Sequence, residues 1–259
     1  MNIFMQKIIL IFTIGIFLFF IQRSFANDKI TEAKLNFHKG QELLAAGDHE
    51  GAIDCLRQAV KLFPDSAKFH HRLALAYMEQ GTVYSRLRAN LEFKETLSLN
   101  RDNCDYRFDY AMLLLQMKMT TSAVQQLKRI IKIDPGYYLA YYHLGLLKEK
   151  DVMRYRYMID PEEGGIIYFY EFAKEDKEKA VYYYNKVISL KPDFPDVYYH
   201  LGMLYYEYNE LFHMIDLLEK AVKIIPSDKN CHLFLGFAYY HDEQYELAER
   251  EFEEAMKYM

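Results

Sequence analysis

The sequence predicts an all-α fold, a solenoid of about six similar helical hairpins, and a recurring spacing of twelve residues is the first observation behind this prediction. Gly40 is followed twelve residues later by Ala52 and twelve after that by Pro64. The same triplet returns at Ala111, Ala123 and Pro135 and at Gly202, Met214 and Pro226.

A longer period is the second observation. The small residues that open the triplets stand at positions 40, 74, 111, 145, 202 and 236, which gives steps of 34, 37, 34, 57 and 34 residues. Subtracting 34 from the two longer steps leaves insertions of 3 and 23 residues. A fixed period of this size indicates a stacked array of one supersecondary unit.

The stretch 196–226 shows how one unit is built. Tyr198, Leu201 and Tyr205 lie at i, i+3 and i+7, which places them on one face of a first helix. A second apolar helical face follows, and Pro226 ends it, because proline has no N–H to donate and its ring clashes with the preceding turn. Each unit is therefore expected to be a pair of helices.

This register divides the chain into an N-terminal segment and six repeats. The predicted bounds are 1–26 for the segment and 33–66, 67–103, 104–137, 138–194, 195–228 and 229–259 for the repeats. The fourth repeat contains the 23-residue insertion, around 149–172.

The patterns within these units resemble the tetratricopeptide repeat, which has an aromatic residue, Leu-Gly and Tyr in its first helix and later Ala, an aromatic residue and Pro. The pentapeptide Tyr-Tyr-His-Leu-Gly occurs at both 141–145 and 198–202, and Ala180, Tyr184 and Pro192 carry the second half. The resemblance implies a right-handed α-solenoid and a non-enzymatic scaffold that binds another protein.

Two kinds of departure from the family pattern occur in the early repeats. Arg101 stands where the second repeat should have its proline, so that repeat is degenerate. The first aromatic position is occupied by Asn36, His70 and Arg107 in the first three repeats. These units are expected to be less regular but still helical hairpins.

In the family, the first helices of successive hairpins line a concave groove. Transferring that register residue by residue predicts a partner-binding groove formed by Phe37, Gln41, His71, Leu75, Phe108, Met112, Tyr142, Leu146, Tyr199, Met203, Tyr206, Leu233, Phe237 and Tyr240. The alternative is that these side chains only pack between neighbouring helices. Many large apolar residues at groove positions favour binding, because they would otherwise leave an exposed apolar patch.

The first 26 residues have the pattern of a secretory signal peptide. The apolar run 8–21 is too short to span a bilayer, which takes ~20 apolar residues. Ser24 and Ala26 place small residues where a signal peptidase cleaves. We expect an exported protein, periplasmic or extracellular, that begins at Asn27. The alternative is an uncleaved anchor that associates the protein with a membrane.

Composition and motifs argue against several other classes of function. The net charge of −5 and the lack of a basic stripe argue against nucleic acid as a partner. No glycine-rich phosphate loop, His-Glu-x-x-His motif or nucleophile elbow occurs, so we expect no catalytic residues, no cofactor and no metal site. The rival hypothesis is carbohydrate handling, because exported arrays of this family occur in polysaccharide secretion and tyrosine-rich grooves can stack on sugars.

Two segments leave structural alternatives open. The insertion contains turn signals at Asp160-Pro161 and Gly164-Gly165, and its flanks either prolong both helices of the hairpin or form a short β-hairpin. Flanking helical residues favour the prolonged helices. In the last repeat, Leu247, Phe252 and Met256 recur at helical spacing, and this face is either covered by a second chain in a homodimer, or by a partner, or kept soluble by the acidic outer side of the helix alone.

Overall fold

The structure is a computed structural model that describes residues 28–158 and 166–258, with side chains described outside 152–173. These residues contain twelve helices and no strand, which confirms the predicted all-α fold of helical hairpins. The helices are α1 (28–45), α2 (His49–Leu62), α3 (Ala67–Gln80), α4 (Val83–Leu99), α5 (Cys104–Gln116), α6 (Thr120–Ile133), α7 (Tyr138–Met158), α8 (Ile166–Leu190), α9 (Pro195–Glu207), α10 (Leu211–Ile224), α11 (Lys229–His241) and α12 (Tyr245–Lys257).

The chain forms two compact units, which divide between Gln126 and Leu127 inside α6. In the first unit, α3 packs on α2 and α4, and α4 on α5. In the second unit, α7 packs on α8, α9 on α10 and α11 on α12, and α9 also contacts α11. α9 and α11 are the first helices of two successive hairpins.

Side-chain caps explain where several helices begin. The carboxylate of Asp48 accepts a hydrogen bond from the backbone N–H of Gly51 at 2.9 Å and so caps α2. Asn103 and Asp228 cap α5 and α11 in the same way, each at 2.8 Å. Each cap satisfies a backbone donor that has no partner inside the helix.

At three of the positions that open a triplet, Gly40, Gly145 and Gly236, glycine permits the close approach of the two helices in a hairpin. A Cβ atom at Gly40 would lie 2.7 Å from Leu56, sixteen residues later. At Gly145 the corresponding contact is with the ring of Tyr184, which belongs to α8 and is fully buried. The requirement for glycine here comes from packing, since the helical backbone itself would accept any residue.

A hydrogen bond to the end of the preceding repeat accounts for His70 and Arg107, two of the three residues that depart from the family's first aromatic position. His70 Nε2 lies 2.8 Å from the carbonyl oxygen of Pro64, six residues earlier. Arg107 donates to the carbonyl of Arg101, also six residues earlier. Tyr198 donates to Pro192 at 2.7 Å. An imidazole, a guanidinium and a phenol thus make the same hydrogen bond at these three positions, whereas Asn36 donates to Glu32 in its own helix.

The insertion prolongs the helices of the fourth hairpin. α7 continues to Met158 and α8 begins at Ile166, so the expectation of prolonged helices is confirmed within the described residues. The predicted turn at 160–165 lies outside the described residues. Close to the insertion, Lys148 Nζ lies 2.8 Å from Asp176 Oδ1, and this ion pair joins α7 to α8.

Two further expectations concern the first residues of the chain. The predicted signal segment and its cleavage site lie outside the described residues. Among the helices that are described, none combines the length and the apolar character needed to cross a membrane.

Candidate functional site

The predicted groove residues differ widely in exposure. Four aromatic side chains, all in the second unit, are exposed to solvent: Tyr199 by 40%, Tyr206 by 42%, Phe237 by 46% and Tyr240 by 56%. They lie on α9 and α11, the two first helices that contact each other. The other predicted groove residues, apart from Phe37, are half-buried: Gln41, His71, Leu75, Phe108, Met112, Tyr142, Leu146, Met203 and Leu233.

Phe37 does not line an exposed surface, so its assignment to the groove is wrong. Its side chain is 2% exposed and belongs to the core of the first unit. Its ring stacks on Phe69 with centroids 4.7 Å apart. The register places Phe37 on a first helix, but the arrival of Phe69 from the next hairpin buries it.

His71 and Tyr142 are engaged within the protein. His71 Nε2 lies 2.8 Å from Asp109 Oδ2, and its ring lies 4.3 Å from Tyr106. Tyr142 meets Phe194 edge to face with centroids 5.0 Å apart. Burial raises the pKa of Tyr142 to about 12, with the nearby negative charges adding to the effect, so its hydroxyl stays protonated. Packing between hairpins accounts for both side chains.

A first cavity of about 290 Å³ opens between the N-terminal ends of α9 and α11. Tyr199 and Phe234 form two of its walls, with ring centroids 4.8 Å apart and planes inclined by 52°. Its lining residues are Pro195, Asp196, Tyr199, Leu218, Asp228, Asn230, Cys231 and Phe234. Burial raises the pKa of the Cys231 thiol, so that side chain stays uncharged. The walls are thus largely apolar and aromatic.

A second cavity, of about 300 Å³, lies at the C-terminal ends of the same two helices. It is lined by Tyr206, Glu207, Asn209, Leu211 and His241. The rings of Tyr206 and His241 have centroids 5.4 Å apart. Tyr199 and Tyr206 are seven residues apart on α9, so the two cavities are separated by about 10 Å along the helix.

A partly buried polar network, which sequence reasoning missed, joins α7, α8 and α9. The hydroxyl of Tyr184 donates to Glu149, and Glu149 Oε2 lies 3.0 Å from His200 Nδ1. Burial, with the charge of Glu149 next in importance, raises the pKa of Tyr184, so its hydroxyl remains a donor. The network adds a directional connection among three helices, two of which the ion pair of Lys148 and Asp176 also joins, and this indicates a structural role.

His143 and His200, which occupy equivalent positions in the fourth and fifth repeats, lie in separate environments. Burial lowers the pKa of His143, which keeps its imidazole neutral, whereas His200 is in contact with Glu149. Over the ranges 28–158 and 166–258, no group of three or more His, Cys, Asp or Glu side chains is arranged to hold a metal ion.

Comparisons with known sequences identify the repeat. A sequence model described as TPR repeat matches residues 40–81 and 171–208. The TPR repeat-containing protein YpiA of Bacillus subtilis is 24% identical over 230 residues, covering 82% of this chain and 54% of that protein. A Giardia intestinalis protein named UDP-N-acetylglucosamine–peptide N-acetylglucosaminyltransferase is 25% identical over 185 residues, covering 68% of this chain. The chain spans only 11% of that enzyme's length.

Solved structures share the fold. Pseudomonas aeruginosa PilF superposes with a TM-score of 0.60 at 18% identity, covering 86% of this chain and 90% of that one. YrrB, described as a TPR protein with an unusual peptide-binding site, superposes with a TM-score of 0.51 at 16% identity, covering 81% of this chain and 90% of that one. At these identities the likeness extends to the arrangement of helices and no further.

Proposed function

Because the chain belongs to the tetratricopeptide repeat family, we propose that it is a non-enzymatic scaffold that binds a segment of another protein. The binding surface is the α9–α11 groove, which we define by Tyr199, Tyr206, Phe237 and Tyr240 together with the two cavities. The ligand is a peptide or helix segment. Tetratricopeptide repeat proteins generally bind proteins or peptides, and in this chain the α9–α11 groove is the surface proposed to do so.

The observation that carries the proposal is the exposure of four large aromatic side chains on two adjacent helices. Each leaves between 40% and 56% of its surface in water. Aromatic side chains contribute much of the energy of protein interfaces, because they bury a large area with few rotatable bonds. The two cavities at opposite ends of these helices are places where a ligand's side chains can insert. The described peptide-binding site of YrrB supports the same type of ligand.

We further propose that the protein acts in the cell envelope, in the periplasm or outside the cell. The support is the sequence of residues 1–26, which has the apolar run and the small residues of a signal peptide. If this segment is retained, it attaches the protein to a membrane and the groove faces the same compartment.

A photo-crosslinking experiment tests the proposed surface. A photoreactive phenylalanine analogue in place of Phe237 should crosslink to another envelope protein in living cells, and mass spectrometry should identify the linked segment. The same analogue at Phe212 on α10, which is 79% exposed but is not one of the groove residues, is the matched control. Equal crosslinking from both positions would contradict the proposal, as would a linked segment that fails to bind the purified protein as a synthetic peptide.

Carbohydrate binding is the second candidate, and the first cavity provides the observation in its favour. Asp196 and Asn230 line it beside the ring of Tyr199, and polar side chains next to an aromatic face suit a sugar as well as a peptide. The peptide is favoured because the groove continues to a second cavity about 10 Å away. Binding on a glycan array that Tyr199→Ala abolishes, with no peptide binding, would establish the carbohydrate alternative.

A further inference from the structure

The second helix of the second repeat presents an apolar surface that lies outside the α9–α11 groove. Val83, Tyr84, Leu87 and Leu91 of α4 are 74%, 64%, 51% and 58% exposed to solvent. We propose that these four side chains, which we call the α4 face, bind the protein to the surface of a lipid bilayer. This inference does not depend on the groove or on its ligand.

Two departures from the repeat pattern produce the α4 face, and the first is the three-residue insertion. Ala89 occupies in α4 the place of Ala52 in α2, because each stands 22 residues before the small residue that opens the next repeat, at position 111 or 74. α2 begins three residues before Ala52, at His49, whereas α4 begins six residues before Ala89, at Val83. The insertion therefore adds one turn to the start of α4, and this turn carries Val83 and Tyr84.

The added turn is a regular part of the helix. Gly81 has a φ of 73°, a left-handed conformation that separates α4 from α3. Thr82 then caps α4, since its hydroxyl oxygen accepts a hydrogen bond from the backbone N–H of Ser85 at 3.0 Å. Ser85 is buried, whereas Val83 and Tyr84 before it are exposed. The turn is thus fixed on its inner side and apolar on its outer side.

Leu87 and Leu91 are the second departure. They stand two residues before and two residues after Ala89, which is buried. Each of the other five second helices has at least one polar residue at the corresponding two positions: Glu50 and Asp54, Thr121 and Gln125, Glu178 and Tyr182, Phe212 and Asp216, and Glu246 and Arg250. Among the six second helices, α4 is therefore the one with an apolar residue at both.

The residue types of the α4 face suit the boundary between water and lipid. Val83, Leu87 and Leu91 are four residues apart, so they form one ridge about 12 Å long. Lipid chains accept such a ridge without a complementary groove. Tyr84 adds an amphipathic ring of the kind enriched at membrane surfaces. The guanidinium of Arg88 lies 5.1 Å above that ring and its Nε donates to the tyrosine hydroxyl at 2.9 Å. Apolar side chains beside basic ones are typical of helices that lie in this boundary.

The charges on α4 favour a bilayer that contains anionic lipid. The chain has a net charge of −5, but α4 carries three basic and two acidic residues. Arg86 and Arg88 donate to a backbone carbonyl and to a phenol hydroxyl, and these acceptors do not cancel their charge. Glu92 is half-buried and lies 2.6 Å from a histidine ring, and Lys94 and Glu95 offset each other. The surroundings of the α4 face are therefore more positive than the chain as a whole.

A second copy of the chain is a poorer fit to the α4 face than a bilayer. Leu87 stands at the middle of the apolar stretch 83–91. Two chains that paired these stretches about a two-fold axis would bring Arg88 close to its own counterpart, and like charges repel. Anionic lipid headgroups would instead attract this side chain. Residues 1–26 give a further reason for the bilayer, because their apolar run is typical of an export signal or an anchor and both bring the chain to a membrane.

Tryptophan fluorescence tests the proposal, because the chain has no tryptophan of its own. Tyr84→Trp places a reporter on the α4 face. Phe212→Trp is the matched control on α10, since Phe212 is 79% exposed and occupies the position that corresponds to Leu87. Both proteins are mixed with vesicles of phosphatidylcholine and phosphatidylglycerol in a ratio of about seven to three, with or without bromine atoms on the acyl chains.

With vesicles present we expect the emission of Tyr84→Trp to shift to shorter wavelength, and bromine should lower it at least about twofold, while Phe212→Trp changes little. Attachment through residues 1–26 would act on both proteins alike, so it does not produce this difference. Adding Leu87→Gln and Leu91→Gln to Tyr84→Trp should reduce the quenching to that of the control, with an unchanged melting temperature. Adding Tyr199→Ala should leave the quenching unchanged, because the groove is a separate surface.

Equal quenching of the two reporters, or quenching that persists after both leucines are replaced, would overturn the proposal. A shift of Tyr84→Trp emission that appears without vesicles and grows with protein concentration would assign the α4 face to a second copy, and this would overturn the proposal as well. None of these outcomes bears on the α9–α11 groove, whose test uses a crosslinked partner together with Tyr199 and Tyr206.

Discussion

Gly236 in α11 lies directly against the ring of Phe252 in α12: a Cβ atom at position 236 would stand 2.6 Å from the ring atom Cε1. The ring has little freedom to move away, because Phe237 meets it edge to face with centroids 5.3 Å apart. At the equivalent position of the preceding repeat, a Cβ on Gly202 would lie 3.8 Å from Leu218, an ordinary contact.

This difference predicts opposite effects for the same substitution. Gly236→Ala should destabilise the protein, because overpacking costs about 1–3 kcal/mol and exceeds or cancels the gain of about 1 kcal/mol in helix propensity. Gly202→Ala should be neutral or stabilising by up to about 1 kcal/mol, since it gains propensity without a clash. Urea unfolding of both variants checks the prediction, and a Gly202→Ala protein that is the less stable of the two would contradict it.

The stability contributed by His70 should fall as the pH rises. Burial lowers the pKa of His70, but the hydrogen bonds to Glu92 and the Pro64 carbonyl and the charges of Glu92 and Glu95 outweigh it and raise the pKa above 6.5. A protonated imidazole donates from both nitrogens, and both have acceptors here, at 2.6 and 2.8 Å.

Because the folded pKa is the higher one, this stabilisation is complete below the unfolded value of 6.5 and is lost as the pH rises through the folded pKa. The difference in unfolding free energy between the natural protein and His70→Gln should therefore shrink between about pH 6 and pH 8. Urea titrations across that interval measure it. A difference that grows with pH would refute the assignment, and an NMR titration of the His70 ring provides a direct check.

Self-association through α12 stays a prediction, and the structure changes which residue tests it. Leu247 and Phe252 pack partly into the core of their own hairpin, whereas Met256 is 62% exposed. Met256→Lys should therefore dissolve a dimer without disturbing the hairpin, while Phe252→Glu would also remove the contact with Gly236. Sedimentation at micromolar concentration decides the matter, since a monomeric natural protein would remove the dimer altogether.

Export should remove residues 1–26. The apolar run and the small residues before position 27 predict a mature chain that begins at Asn27. Mass spectrometry of protein recovered from the envelope fraction should show this N-terminus. Recovery of the full-length chain from detergent-extracted membranes would contradict cleavage and support the anchor.

The fold could be predicted from the sequence because the packing of a repeat is local. Gly40 and Leu56, or Gly236 and Phe252, are sixteen residues apart and meet within one hairpin, so the period alone predicts that they come together. His70 and Arg107 replace the aromatic residue that the family has at the first position of the repeat, yet both repeats still form helical hairpins. Each supplies the donor that the preceding carbonyl requires, which a comparison of residue types does not reveal.

The site was less predictable, since it depends on distances between hairpins. The repeat register places Phe37 and Tyr199 at equivalent positions of two first helices. Phe37 is nevertheless buried beneath Phe69, whereas Tyr199 remains 40% exposed. The second cavity includes Asn209 and Leu211, which follow α9 and are not groove positions in the family register. This cavity forms where α9 and α11 end, and the position of those ends is a property of the folded backbone.

The most direct test of the central claim, that the α9–α11 groove binds a protein segment, is to replace Tyr199 and Tyr206 together with alanine and measure the affinity for the crosslinked partner segment. A control protein with Tyr182→Ala and Phe212→Ala loses two side chains that are 54% and 79% exposed on α8 and α10. The account predicts that the groove variant binds at least about tenfold more weakly, with unchanged helicity and melting temperature, and that the control binds normally. Normal binding by the groove variant, or an equal loss in both proteins, would contradict it.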